Sequence, residues 1–285
     1  MDFSAIAEDF KNVTYSTTYD KPLKNKAIKL MERTLVKKSF YSRATDLYEM
    51  VLNGVEVEEA ILSAFDFRVQ IRKGSLDLIP SEGPVLIVGN HPFGIVDGIV
   101  VAAMIKKVRS DLKVMAHQGV SDISIFSDFF LPISFNGSKE ARITNKNTIK
   151  SFKRHLKSGG IGVIFPAGAV STRRPLWKTN CDFEWQPTAA KWAREFDCEV
   201  QPMFIDGGCG PMFQIASQLS MTLRLGSLLR ENIKLIDSEI GLRIGEPFRV
   251  NQLSFAEDSK KVTRYFREKC YQLADLDIYG EKNCE

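Results

Sequence analysis

The sequence lacks the marks of a membrane-spanning or secreted protein. No apolar run approaches the roughly 18 residues of a membrane-spanning helix. The first ten residues carry Asp2, Glu8 and Asp9, where a secretory leader would be basic and then apolar. The five cysteines are an odd number without close paired spacing, which argues against a disulfide framework or a zinc site. We therefore expect reduced cysteines, no metal, and a cytoplasmic protein that is either free or peripheral on the inner face of the membrane.

Internal repeats and low-complexity linkers are also missing, and neither sign of charge is in large excess. The 39 basic and 35 acidic side chains leave a net charge of +4, which by itself does not identify a partner. The basic residues are not interleaved with an aromatic platform, which argues against nucleic-acid binding. With 44% hydrophobic residues, the 285-residue chain can form one large core or two modest ones.

The first part of the chain has a helical and basic pattern. Over residues 25–38, Ile28, Met31 and Leu35 follow helical spacing, and most of the remaining positions are basic. Such a basic amphipathic helix either lies on an anionic membrane surface or packs its apolar stripe on its own domain, and the pattern fits both. A second helical stretch is predicted over residues 41–65.

From residue 67 onward, strand-like and helix-like segments alternate. This alternation predicts an α/β domain over residues 67–285, with a mostly parallel mixed sheet flanked by helices, behind a helical N-terminal extension over residues 1–66. The predicted strands are residues 67–72, 84–89, 112–116, 161–165, 200–205 and 240–244. The predicted helices are residues 99–108, a helix that ends at Gly159, residues 187–196, and a closing helix to Leu273 with a capping box of Ser254 and Glu257.

A histidine and an aspartate lie on either side of the turn that joins a predicted strand to a predicted helix. His91 follows the apolar run that ends at Gly89, and Asp97 precedes the next apolar run. Residues just past the carboxyl end of a strand line the crevice where ligands bind in open α/β sheets. A carboxylate bonded to one imidazole nitrogen fixes the tautomer, so that the other nitrogen accepts a proton from a hydroxyl. The alternatives are that Asp97 only caps the helix and that His91 is a satisfied polar group.

Two further loops carry groups suited to an anion. Residues 165–174 leave a predicted strand through Pro and Gly and end in two arginines, and residues 136–142 repeat this chemistry. Glycine lets a ligand approach the backbone, exposed amides bind anionic oxygens, and arginine adds a charge-assisted fork. The three loops converge if their strands are neighbours. Each loop taken alone also fits an ordinary turn with solvated side chains.

Other residues compete with His91 for a functional role. His117 follows a predicted strand and either faces the crevice or is a polar loop residue. His155 lies in the last turn of a predicted helix, where a cation suits the helix dipole, and we expect it to be solvated. The apolar residues between Ile123 and Pro132 either line an acyl-chain groove, dip into a bilayer or belong to the core, and core burial is the ordinary outcome.

Several blocks in order resemble the glycerolipid acyltransferases of the lysophosphatidic acid acyltransferase superfamily, in the bacterial branch called hemolysin-like or ornithine-lipid acyltransferases. Asn90–Gly98 reads Asn-His-Pro-Phe-Gly-Ile-Val-Asp-Gly and follows the first block of that branch, with five residues between His and Asp. Phe165–Ser171 follows the third block except at Ala169, where an acid is expected. The resemblance spans about residues 71–250 and continues through residues 200–207, 213–217, 222–224 and 244–247.

The resemblance implies that an acyl chain moves from acyl carrier protein or coenzyme A to the hydroxyl of a lysolipid, with the thioester as co-substrate and no further cofactor. It implies that His91 is the general base and that Asp97 holds the ring. The residues that it implies in substrate binding are Asn90, Lys139, Arg142, Pro166, Gly168, Ser171 and Arg173. Ala169 and Val170 replace an acid and the arginine of the wider superfamily, so the acceptor is either lysophosphatidic acid or a lyso-amino-acid lipid.

Two other classes of function stay open at the level of the sequence. One is a non-catalytic homologue that binds lipid or acyl carrier protein, suggested by the altered third block. The other is a thioester or lipid-ester hydrolase, although the chain contains no Gly-x-Ser-x-Gly nucleophile elbow.

Overall fold

The computed structural model describes residues 22–35, 38–276 and 278, which form two compact units. The first unit comprises the N-terminal segment to residue 68 together with residues 116–149 and 210–239. The second comprises residues 69–115, 150–209 and 240 onward. The expected N-terminal extension thus shares its unit with two later segments, and its boundary at residue 66 stays a prediction. Two parts of the sequence analysis lie outside the described residues. They are the acidic residues near the start that argue against a secretory leader, and the end of the predicted first helix.

A mixed sheet organises the second unit. The strands are β1 Arg68–Lys73, β2 Val85–Gly89, β3 Leu112–His117, β4 Phe130–Ile133, β5 Ile161–Ile164, β6 Glu199–Ile205, β7 Glu239–Ile244 and β8 Phe248–Arg249. Six of them lie side by side in the order β1-β7-β6-β2-β5-β3, and β8 pairs with β6. Strand β2 runs parallel to β5 and β6, β3 runs parallel to β5, and β7 and β8 are antiparallel to β6. The predicted mostly parallel mixed sheet is confirmed.

The central position of β2 follows from its composition. All five residues of Val-Leu-Ile-Val-Gly are buried, as are nearly all of β5 and β6 on either side of it. A strand that is apolar on both faces needs cover on both faces, and that is the environment of a central parallel strand in an α/β sheet. The six strands predicted from apolar runs and from alternation appear within about one residue of their expected bounds, inside the usual error of element boundaries.

Ten α-helices are described: α1 Pro22–Leu35, α2 Lys38–Leu52, α3 Val57–Ala64, α4 Ile95–Lys106, α5 Gln118–Ser121, α6 Lys139–Lys157, α7 Thr188–Glu195, α8 Pro211–Leu219, α9 Met221–Ile233 and α10 Ser259–Gln272. The predicted stretch over residues 41–65 is two helices, because the chain turns at Gly54 with a φ of 86°. That left-handed conformation suits glycine and ends α2.

Helix α10 begins later than the sequence predicted. Its N-cap is Asp258, whose Oδ1 accepts the backbone N–H groups of Lys260 and Lys261. The expected capping box of Ser254 and Glu257 is wrong. Glu257 precedes the N-cap and therefore is not at the third helical position that a capping box requires. Its exposed carboxylate lies 2.5 Å from the Arg194 guanidinium of α7.

Helix α1 packs on α9 within the first unit. Ile28 is fully buried, and Gly226 of α9 lies so close to Met31 that an added Cβ would come within 2.8 Å of the Met31 sulfur. The absence of a side chain at Gly226 therefore lets the two helices approach. Ile28 and Met31 of the predicted apolar stripe thus face protein, whereas Leu23 and Leu30 are exposed.

The cysteines are not all reduced, contrary to expectation. Cys198, Cys209 and Cys270 are free and buried, whereas Cys181 is disulfide-bonded. The sequence argument weighed only the number of cysteines and their close pairing. Among the described residues, no helix is both long enough and apolar enough to cross a bilayer.

Candidate active site

The candidate site lies in the second unit, where β2 ends and α4 begins. The Nδ1 atom of His91 is 2.9 Å from Oδ2 of Asp97. The Asp97 side chain is completely buried, whereas that of His91 is 19% exposed. A histidine that combines a buried carboxylate on one side with partial access to solvent on the other is accessible to a substrate hydroxyl.

Backbone hydrogen bonds hold the Asp97 carboxylate in place. Its Oδ2 accepts the N–H groups of Phe93 at 2.9 Å and Gly94 at 2.8 Å. Asp97 is therefore inside the first turn of α4, and the residue at the N-cap is Gly94, with a φ of 95°. The expectation that Asp97 is the N-cap is wrong by three residues. The left-handed Gly94 lets the chain turn into the helix earlier than the apolar pattern indicates.

The contact between His91 and Asp97 is short but not linear. Nδ1 of His91 has no well-aligned hydrogen-bond acceptor among the described residues, and Oδ1 of Asp97 likewise has no donor there. The 2.9 Å separation is thus a close contact between Nδ1 and the carboxylate that lacks the alignment of a hydrogen bond. Catalytic hydrogen bonds are often poorly aligned without substrate and tighten when it binds.

Phe165 fixes the plane of the imidazole. The two rings stack with centroids 4.4 Å apart and an interplanar angle of 19°. Phe165 directly follows β5, and the parallel register that pairs Val88 of β2 with Ile164 of β5 brings the ends of both strands to one edge of the sheet. The stacked ring limits rotation of His91 and keeps Nδ1 on the side of Asp97.

The third block meets the first through Ser171. The Ser171 backbone N–H donates to the carbonyl oxygen of His91 at 2.8 Å. The Ser171 hydroxyl donates to Oδ1 of Asp182 at 2.5 Å, and the same oxygen accepts the backbone N–H of His91 at 3.1 Å. The structure thus brings together the first two loops that the sequence singled out, and it adds a buried carboxylate that joins them.

Asp182 is a residue that the sequence analysis missed. Its Oδ2 accepts the indole N–H of Trp185 at 2.8 Å. Its backbone N–H donates to the Tyr271 hydroxyl at 2.7 Å, and its carbonyl oxygen accepts from the Arg267 guanidinium at 2.8 Å. Burial raises the pKa of the Asp182 carboxyl, while its hydrogen bonds with Ser171, His91 and Trp185 oppose that rise. No local pattern marks this position, since its partners other than Trp185 come from 11 to 91 residues away.

The other predicted substrate residues of this unit have distinct surroundings. The buried Asn90 amide bonds both backbone groups of Ile205, at 2.9 and 2.7 Å, and so ties the end of β2 to β6. Pro166 is buried, and its carbonyl oxygen accepts from the N–H of Gln186. Gly168 is exposed at a φ of 63° with open space on its Cβ side, and Arg173 is exposed. The Asn90 side chain thus holds β2 and β6 together, whereas Gly168 is accessible to a ligand.

Lys139 and Arg142 lie in the first unit, on the first turn of α6, and both are exposed. Their predicted role in binding substrate stays a prediction.

The two other histidines have structural partners. Nδ1 of His117 accepts the N–H of Gly119 at 3.1 Å and caps α5, and the ring stacks on Phe135. Burial lowers the pKa of His117 to about 4. The expectation that His155 is solvated is wrong. Its Nε2 lies 3.1 Å from the carbonyl oxygen of Ile161, it packs where Gly160 has no side chain, and burial lowers its pKa.

The apolar segment between Ile123 and Pro132 contributes to the core of the first unit. Ile123, Phe126, Phe129 and Phe130 are all buried, and the three phenylalanine rings contact one another at centroid distances of 4.7 to 5.9 Å. Core burial, the ordinary outcome, is what the structure shows for these four side chains.

Comparison with known proteins places this geometry in a family. A family model described as "Acyltransferase" matches residues 20–278, most of the chain. A lyso-glycine lipid O-acyltransferase of Phocaeicola vulgatus is 22% identical over 77% of this chain and 78% of its own length. A protein of the same name from Bacteroides thetaiotaomicron is 24% identical over 54% of each chain. The crystal structure of the 1-acyl-sn-glycerophosphate acyltransferase PlsC from Thermotoga maritima aligns over 87% of each chain, with a TM-score of 0.47 and 14% identity.

The extent of the family match defines the class of protein as an acyltransferase. The chain belongs to the acyltransferase family whose model covers residues 20–278.

Proposed function

We propose that the protein is a lysolipid O-acyltransferase in which His91 is the general base and Asp97 holds its ring. The observation that carries the proposal is the partly exposed His91 whose Nδ1 lies 2.9 Å from the buried carboxylate of Asp97. Family membership supports the acyl-transfer chemistry. An imidazole that faces a carboxylate through Nδ1 keeps its proton there and offers Nε2 as a base.

The proposed reaction needs no covalent enzyme intermediate. The acceptor hydroxyl attacks the carbonyl carbon of an acyl thioester while Nε2 of His91 takes the hydroxyl proton. The new C–O bond forms, the C–S bond breaks, and the departing thiolate takes the proton back from the imidazolium. Asp97 stabilises the imidazolium electrostatically, and general-base help of this kind contributes about 10²- to 10⁴-fold to a rate.

For the acceptor we propose a lyso-amino-acid lipid, with lyso-glycine lipid as the first choice. The names of the two curated relatives support this choice. The third block supports it as well, because Ala169 carries no charge and Val170 is buried, so neither supplies a charged group to a phosphate. Gly168 offers an accessible backbone, and Arg173, five positions further along the same loop, is an exposed cation.

We also propose that the first unit lies on the membrane that supplies the lysolipid. Helix α8, with the sequence Pro-Met-Phe-Gln-Ile-Ala-Ser-Gln-Leu, has no charged residue, although it lies at the surface. Met212, Ile215 and Leu219 recur at helical spacing on α8 and are exposed, and Met221 and Leu223 at the start of α9 are exposed as well. We call these five residues the apolar face. Exposed apolar patches of this kind mark protein or membrane contacts. Helix α1, packed on α9, adds exposed lysines suited to anionic lipids.

Acyl transfer by the purified chain tests the proposal. The assay offers acyl-CoA and acyl carrier protein thioester as donors and lyso-glycine lipid, a lyso-ornithine lipid and lysophosphatidic acid as acceptors. We expect transfer to the lyso-amino-acid lipids. Strongest transfer to lysophosphatidic acid would contradict the acceptor assignment, and acyl release that is unchanged without any lysolipid would identify a hydrolase instead.

A further inference from the structure

A second concave site lies in the second unit, beside the segment that carries Asp182. It is a cavity of about 890 Å³ between residues 172–187 and the N-terminal half of α10. Small-molecule sites in proteins commonly have volumes of about 300–1,000 Å³. The cavity therefore has room for a substrate fragment, and we call it the basic cavity after the side chains described next.

Positive charge dominates the wall of the basic cavity. The basic residues of the lining are Arg174, Lys260, Lys261, Arg264 and Arg267, and the acidic ones are Asp182 and Glu184. Asp182 is already engaged, because its two carboxylate oxygens accept three hydrogen bonds. Part of this charge has partners within the protein, because Arg264 Nε lies 3.3 Å from the Glu268 carboxylate and Lys261 Nζ lies 3.8 Å from that of Asp258. Both pairs are solvent-exposed and therefore weak. The lining as a whole still presents more positive than negative charge to an anion.

Two segments separate in sequence supply these charges. On α10, Lys260, Arg264 and Arg267 are spaced so that they share one face of the helix. Arg174 comes from the opposite wall, where its guanidinium lies 4.2 Å above the centre of the Phe183 ring. Stacking occupies the face of a guanidinium and leaves its in-plane N–H groups directed outward, in the geometry that binds phosphate.

The wall of the basic cavity also supports the candidate active site. Asp182 lines the cavity, and the same side chain holds the backbone of His91 and the hydroxyl of Ser171. Arg267, another lining residue, donates to the carbonyl oxygen of Asp182. A ligand in the cavity thus lies against the residue that anchors the proposed general base, which suits one of the two substrates of that reaction.

We propose that the basic cavity binds the phosphate-bearing phosphopantetheine arm of the acyl thioester donor, an inference that rests on the proposed function. Acyl-CoA and acyl carrier protein thioesters share this phosphopantetheine arm, whereas the proposed amino-acid-lipid acceptor has no phosphate and presents the carboxylate of its amino acid instead. The five cations of the lining suit the phosphate-bearing donor better than that single carboxylate.

The test uses the doubly substituted variant Lys260→Glu with Arg264→Glu. The control is Lys191→Glu, an exposed lysine of α7 outside the cavity lining. Donor KM and kcat are measured with acyl-CoA, acyl carrier protein thioester and S-acyl-pantetheine, which lacks the phosphate. We expect the double variant to raise KM at least tenfold for both phosphate-bearing donors, to leave KM for S-acyl-pantetheine within twofold, and to leave kcat within about threefold.

Comparing acyl-CoA with the acyl carrier protein thioester shows which part of the donor is recognised. A rise in KM for both donors supports recognition of the shared arm. A rise in KM for the carrier protein thioester alone overturns the assignment to the arm and indicates contact with the carrier surface. An unchanged donor KM, an equal rise with S-acyl-pantetheine, or a rise in lysolipid KM instead also overturns it.

Calorimetric titration with CoA distinguishes failure of this inference from failure of the proposed function. The titration requires no turnover, and we expect CoA to bind the wild type and to lose at least tenfold in affinity in the double variant. Equal affinity in the two proteins contradicts the basic cavity as the site. If the wild type binds CoA but transfers no acyl group, the proposed function is contradicted, whereas the assignment of the basic cavity as the CoA site is not.

Discussion

The backbone N–H of His91 and the hydroxyl of Ser171 share one acceptor, the Oδ1 atom of Asp182, at 3.1 and 2.5 Å. Through this one buried oxygen the loop after β2 is fixed to the loop after β5. The position of the proposed base therefore depends on a carboxylate whose two oxygens are occupied by hydrogen-bond donors of the protein itself.

Asp182→Asn tests this dependence. The new amide retains one acceptor for His91 and Ser171, but its NH₂ group then faces the indole N–H of Trp185, donor against donor. A buried polar conflict of this kind costs about 1–3 kcal/mol, and we expect the free energy of unfolding in urea to fall by that amount. Asp77→Asn, an exposed position, should change it by less than about 0.5 kcal/mol. Equal stability of the two variants would contradict the role of Asp182 in linking the loop after β2 to the loop after β5.

Acid should destabilise the protein partly through His117. Burial lowers the pKa of His117 to about 4 from about 6.5, so between these values the unfolded chain binds a proton that the folded protein does not. Its stabilising contribution is complete above pH 6.5 and is lost as the pH falls toward 4. His117→Asn keeps an acceptor for the N–H of Gly119 but does not titrate.

We therefore expect the unfolding free energy of the wild type to drop between pH 7.5 and pH 5 by about 1–2 kcal/mol more than that of His117→Asn. Denaturant unfolding at several pH values measures the difference. Parallel pH dependence in the two proteins would show that His117 does not titrate as a buried group.

Gly168→Ala tests the turn of the third block. Gly168 has a φ of 63°, and no other atom lies within 4 Å of an added Cβ, so the substitution strains the backbone without a clash. The left-handed conformation costs an alanine about 1 kcal/mol, and asparagine less. We expect Gly168→Ala to lose about that much unfolding free energy and Gly168→Asn to lose less. Equal losses would indicate that steric crowding and not backbone conformation selects glycine here.

Leu219→Glu tests the membrane contact of the apolar face on α8 and α9. Leu219 is 72% exposed, so the substitution leaves folding nearly unchanged but places a charge where the face would enter the lipid. We expect cosedimentation with vesicles of phosphatidylglycerol and phosphatidylcholine to fall at least threefold. Val108→Glu, at an exposed position of the second unit, serves as the control and should bind as the wild type does. Equal vesicle binding by both variants would place the contact elsewhere.

The sequence predicts the sheet well because the central strands are continuous apolar runs. Strands β2, β5 and β6 have that pattern, and it suits few other environments in a domain of this size. The sequence analysis did not predict helices α8 and α9. Only Ser220 separates them, and their exposed apolar residues blur the periodicity by which a surface helix is recognised.

The residues of the candidate site likewise include some that the sequence predicts and others that it does not. His91 and Asp97 are six positions apart and could be paired from the strand end and the helix start between which they lie. Asp182 acquires its role mainly from partners that folding brings together, and His155 is half-buried because Gly160 leaves room for its ring. Contacts of this long-range kind have no signature in local composition.

The most direct measurement of the central claim is the turnover of His91→Gln beside that of Asp97→Asn, with His117→Asn as the control histidine. We expect His91→Gln to remain folded and to lose about 10²- to 10⁴-fold in kcat for acyl transfer, because the base is gone. Asp97→Asn should lose less, and His117→Asn should stay within twofold of the wild type. Wild-type turnover in a folded His91→Gln variant would contradict His91 as the base of the reaction.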